Sequence, residues 1–143
     1  MNYSYIMDIE KLILFQKTYD FLLWLYNLIQ HLPKRHKPVL GRYLEESGLS
    51  LLLLTINANK AVGRKRQALQ QEISDELDRL RILLRLTKDL RFMSIKQYTY
   101  VAEKLNELGK ILFGWKNVRT TTVKNKDVEN KRVAKTNDNL PLF

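Results

Sequence analysis

The sequence predicts an all-α protein, an antiparallel up-down-up-down four-helix bundle with a flexible basic C-terminal tail. Three observations lead there. Four segments of about 20 to 25 residues carry apolar residues at helical spacing. Five Gly and three Pro in 143 residues leave room for few turns. Strand signals are missing: Val, Ile and Thr are scattered, and no Asn-Gly or Asp-Gly turn joins two apolar runs.

The first helix is expected over about 9–32. It ends at His31-Leu32-Pro33-Lys34-Arg35-His36, where the proline cannot continue a helix and the cations favour the negative end of its dipole. The second runs over about 38–62, with Pro38 suited to a first turn and Gly63 to a stop. The third covers about 65–91. The fourth covers about 95–113, opened by Ser94 and Gln97 at capping-box spacing, with Met93 and Tyr98 placed for a hydrophobic staple and Gly114 as its stop. Residues 1–115 form the bundle. Residues 116–143 form the tail, with seven basic against three acidic residues and no apolar face to offset the entropy of ordering.

Composition narrows the chemistry. The absence of Cys removes disulfides, thiolate zinc sites and cysteine nucleophiles. His31 and His36 are the only histidines, and no carboxylate stands near them at ligand spacing, so no metal site is expected. There is no paired Glu-x-x-His for a di-iron centre, no phosphate-binding glycine loop and no evident catalytic carboxylate pair. No enzyme activity and no cofactor are expected. Asp8 and Glu10 interrupt any secretory core, and the longest nearly uncharged run, 47–58, falls short of the roughly 20 residues that cross a bilayer. These features suit a cytoplasmic protein that makes no membrane contact.

A formal net charge of +10 calls for a polyanionic partner or an acidic protein surface. Arg64, Lys65 and Arg66 cluster where the third helix begins. Along that helix, 100° steps place Leu69, Ile73, Leu77, Leu80, Leu83 and Leu84 on one core stripe and Arg81, Arg85 and Lys88 together on a flank. Cations that neutralise phosphates give salt-sensitive binding with little sequence preference. The competing reading is a solvated face paired with local acids, as in Asp75–Arg79 and Asp78–Arg81. Aromatic residues do not interleave with the cations in sequence, so backbone contact without base reading is expected.

Self-association is expected as well. Ile82 and Leu86 lie nearly opposite the core stripe, beside Arg79. In the second helix Leu49, Leu51, Leu52, Leu53, Leu54 and Ile56 point to every side, and in the first Phe21 to Tyr26 circle the axis. A helix that is apolar all round is buried all round, and a small monomer cannot do that for two helices. Ile82, Leu86, Leu51 and Leu54 are the candidate interface residues.

The run from Leu80 to Leu90, then Ser94 to Tyr98 and Glu107 to Trp115, resembles the accessory variability determinant (Avd) proteins of diversity-generating retroelements. Trp24-Leu25-Tyr26, His31 to Lys34 and Leu40-Gly41-Arg42 extend the likeness upstream, so that it covers roughly residues 12–115 in order. These small bundles are kin of the proteins encoded by intervening sequences in bacterial 23S rRNA genes. The resemblance implies a basic homopentamer that associates with a reverse transcriptase and its template RNA and supports mutagenic cDNA synthesis. It places the nucleic-acid surface at Arg79, Arg81, Arg85, Lys88 and Arg91, with Arg42, Arg64, Lys65 and Arg66 as further members. The alternative is a structural oligomeric bundle of the intervening-sequence type with no polymerase partner.

Overall fold

The computed structural model describes the backbone of residues 2–121 and the side chains of residues 13–117. Four helices make up the fold: α1 (Asn2–Gln30), α2 (Arg42–Lys60), α3 (Gly63–Asp89) and α4 (Ile95–Thr121). Each packs on two neighbours in a closed ring, α1 on α2, α2 on α3, α3 on α4 and α4 on α1. Across the α2/α3 seam Ser47 meets Glu76 and Ala58 meets Arg66, so later positions of α2 meet earlier positions of α3. The α1/α4 seam shows the same order, with Lys17 at Glu107 and Trp24 at Tyr100. Among the described residues no helix is long and apolar enough to cross a membrane.

The core is leucine from all sides: Leu14 and Leu25 of α1, Leu44 and Leu51 of α2, Leu80 and Leu84 of α3, and Leu105 and Leu108 of α4 are fully buried. Ile73 and Leu77 complete the expected stripe on α3, while Leu69 and Leu83 lie at its half-buried margins. Close packing of α1 on α2 depends on Gly48. A Cβ there would stand 2.7 Å from Leu25 Cδ2 and 2.8 Å from Leu22 Cδ1.

The boundaries follow local chemistry, with four departures from the expected ones. The chain is already helical at Asn2, earlier than the apolar periodicity suggested. A single wide turn over Lys37–Gly41, closed by the Gly41 N–H on the His36 carbonyl, precedes α2. Gly63 does not stop α2, which ends at Lys60 with Ala61 and Val62 extended; at φ +63° it is the first residue of α3. Finally, Gly114 does not end α4, which continues to Thr121. Trp115 is buried there under the Arg66 guanidinium, and that anchorage outweighs the weak helix propensity of one glycine, about 1 kcal/mol. The helix therefore crosses the expected boundary at 115. Residues 122–143 of the expected tail lie outside the described residues.

The turn between α3 and α4 is defined closely. The Phe92 N–H reaches the Thr87 carbonyl and the Arg91 N–H reaches the Lys88 carbonyl, the paired bonds of a Schellman cap. Arg91 occupies the left-handed position, φ 65°, that such a cap usually gives to glycine. Three residues on, Ser94 Oγ accepts from the Gln97 N–H at 3.1 Å and Gln97 Oε1 accepts from the Ser94 N–H at 2.9 Å, completing the capping box.

Candidate nucleic-acid interface

The nine cations expected to meet nucleic acid divide into two groups. Arg42, Arg64, Lys65, Arg79, Arg85 and Arg91 are exposed, and Lys88 is half-buried. Arg66 and Arg81 are buried.

Arg66 is 5% exposed. Its Nε donates to the Ala58 carbonyl at 3.2 Å and its Nη2 to the Asn59 carbonyl at 3.3 Å, so it caps the end of α2 from the first turn of α3. Arg81 is 7% exposed. One residue past the core position Leu80, it turns 100° toward α4, where Gly109 leaves room for the guanidinium; a Cβ at Gly109 would come within 3.1 Å of Nη2. Its Nη1 donates to Asp78 Oδ1 at 2.7 Å. The expected Arg81/Arg85/Lys88 flank is therefore reduced to its last two members. Gly109, a glycine inside a helix, was the signal that a large side chain would enter from the facing helix.

Pairing on the surface is local. Arg79 bonds Glu76 at 3.3 Å rather than Asp75, which instead accepts from Gln71. Arg85 lies 3.9 Å and Lys88 3.3 Å from Asp89. Lys88 also sits 4.6 Å above the Tyr98 ring. Arg42 donates to Glu46 at 3.0 Å, and that hydrogen bond raises the guanidinium pKa above its ordinary value. Such exposed pairs are weak because water and salt screen them, and a phosphate can compete for the same cations.

The four interface candidates separate in the same way. Ile82 is 66% exposed and Leu86 46%. Leu51 is buried in the core of the bundle at 1%, and Leu54 is half-buried against it. The apolar character of α2 that pointed outward comes instead from Leu49 and Leu53, both exposed. On α3, 100° steps put Ile82 and Leu86 between Arg79 on one side and Arg85 on the other.

The fold also gathers a basic end that sequence order hid. The segment 31–37 brings Lys34, Arg35 and Lys37, and the segment 90–97 brings Arg91 and Lys96, with no carboxylate in either. All five are exposed. The His36 and Phe92 rings join the two segments, with centroids 4.6 Å apart. These cations are more than fifty positions apart along the chain, so no window of sequence contains both sets. Among the described residues no group of three or more His, Cys, Asp or Glu could hold a metal ion.

No curated protein and no solved structure matches the chain. The bAvd-like family model, however, matches residues 12–119, from the first helix into the last turns of the fourth. Because that match covers most of the chain and reaches all four helices, the chain belongs to the bAvd-like family of Avd-type accessory proteins.

Proposed function

We propose that this protein is a non-catalytic accessory subunit of a diversity-generating retroelement. It acts as a basic homo-oligomer, a pentamer by family resemblance, that binds the reverse transcriptase and contacts template RNA and cDNA through phosphates. The observation that carries this reading is the set of exposed cations flanking an exposed apolar strip on α3, where Ile82 and Leu86 lie between Arg79 and Arg85. A strip of this kind is suited to a second copy of the chain, and assembly would repeat the bordering cations around the oligomer. Repetition raises avidity for a polyanion without any new contact type.

The test uses two variants of the full chain. Reversing charge at Arg79, Arg85 and Lys88 is expected to leave helicity and mass unchanged and to weaken binding of template RNA steeply, with a shallower salt dependence. Replacing Ile82 and Leu86 by Ser is expected to shift light-scattering mass toward the 17.0 kDa of one chain. Wild-type affinity in the charge-reversed protein would remove these cations from the site. An intact oligomer that binds neither RNA nor reverse transcriptase would favour the structural bundle of the intervening-sequence type.

A further inference from the structure

We propose that the basic end of the bundle holds a pocket for an unpaired nucleobase, so that this protein takes a base out of a single strand as well as gripping its phosphates. The proposal rests on the nucleic-acid reading above and adds a site and a ligand class to it.

The pocket lies where α1 ends, the α3–α4 turn passes and α4 begins. Trp24, Asn27, Leu28, His31, Phe92 and Gln97 line it, and its volume is about 320 Å³. That is within the range of small-ligand sites, about 300–1,000 Å³. Trp24 and Phe92 are the half-buried aromatic members of the lining, with Tyr100 and His36 beside them at centroid distances of 5.8 and 4.6 Å. Every base has a π-face, so stacking on such side chains accepts a base of any identity.

The polar members suit a base edge. His31 Nδ1 is 2.7 Å from the Asn27 carbonyl, which can only accept, so Nδ1 carries the hydrogen and Nε2 remains as the other polar atom of the ring. Gln97 uses its Oε1 in the capping box, which leaves its amide N–H groups as donors. The Asn27 side-chain amide adds one acceptor and two donors. Bases present both kinds of group along their edges, and recognition of single-stranded RNA combines such contacts with aromatic stacking.

Charge complementarity selects the ligand over an uncharged aromatic molecule. Lys34 and Arg35 follow His31 within four positions, Arg91 adjoins Phe92 and Lys96 adjoins Gln97, with no carboxylate in either segment. A base seated between Trp24 and Phe92 would place its flanking phosphates among these cations. Duplex bases are stacked and paired, and so are closed to such a pocket.

The test compares a single-stranded oligouridylate carrying 4-thiouridine, its DNA counterpart, and inorganic polyphosphate as a polyanion without bases. Ultraviolet crosslinks from wild-type protein are expected on the peptides that hold Trp24, His31 or Phe92. The RNA and DNA arms show which strand supplies the base. Phe92→Ala is expected to weaken oligonucleotide binding by about five- to a hundredfold, with less than about a twofold change for polyphosphate. His31→Ala, at an exposed position, is expected to act in the same direction with a smaller effect. Crosslinks found only elsewhere, or equal losses for oligonucleotide and polyphosphate, would overturn the pocket while leaving phosphate binding intact. If wild-type protein binds neither, the pocket and the nucleic-acid reading fail together.

Discussion

Ser47 of α2 donates its hydroxyl hydrogen to the Glu76 carboxylate of α3 across 2.5 Å, and both residues are buried. The other carboxylate oxygen accepts from Arg79 at 3.3 Å, so the pair ties the core seam to the exposed cation row. Removing the hydroxyl leaves a buried acceptor short of a partner, which costs about 1–3 kcal/mol. Ser47→Ala should lower the urea unfolding free energy by that amount. A change under about 0.5 kcal/mol would mean that water or Arg79 fully replaces the bond.

Gly48 packs tightly against α1. A methyl group there would meet Leu25 and Leu22 at under 3 Å, and both leucines are buried. The leucine ends can rotate, but within a packed core that repacking costs about 1–3 kcal/mol. The gain in helix propensity returns about 1 kcal/mol. Gly48→Ala should therefore destabilise by about 1 kcal/mol in chemical denaturation, whereas Gly114→Ala, which faces open space, should stabilise by up to about that amount.

Arg91 combines a strained backbone with an exposed charge. A left-handed non-glycine residue costs about 1–2 kcal/mol, and glycine relieves it at the expense of about 0.4–1 kcal/mol of extra freedom in the unfolded chain. Arg91→Gly should thus raise stability by about 0.5–1 kcal/mol while weakening RNA binding. Opposite movement of the two readouts is the signature of strain kept at a functional position. Unchanged RNA affinity would exclude Arg91 from the interface.

The Lys17–Glu107 pair joins α1 to α4. The hydrogen bond from Lys17 is the main cause that holds the Glu107 carboxyl below its ordinary pKa, against a smaller upward push from burial. With the folded pKa depressed, the stabilisation is complete above the unfolded carboxylate value, about 4.3, and is lost as pH falls through the folded value. Both side chains are about 40% exposed, so the effect is about 0.2–1 kcal/mol. Glu107→Gln should cost that much near pH 7 and progressively less as the pH falls through the folded value. A penalty that persists in acid would assign it to packing.

Some elements were legible because their causes are local. Ser94 and Gln97 satisfy each other's backbone N–H groups within one turn, and the leucines of α3 repeat at helical spacing around Ile73 and Leu84. Gly114 misled because a glycine is a weak local signal, and its neighbour Trp115 is fixed by contact with Arg66, forty-nine positions earlier. Leu51 and Leu54 could not be distinguished from Leu49 and Leu53 by hydrophobicity alone. Only the direction of α1 and α3 around α2 decides which of them is covered.

By itself the sequence determined the all-helical class, the four apolar stripes, the capped turn at Ser94 and the surplus of positive charge, since each depends on residues within a few turns of one another. The tertiary structure decided which charges are available. It turned Arg81 into the space beside Gly109 and spent Arg66 on the open carbonyls of α2. It also brought His36 to Phe92, assembling cations and aromatic rings from distant segments into one end of the bundle. Helical periodicity gives the side of a helix on which a residue lies; what meets it there is set by the neighbouring helix.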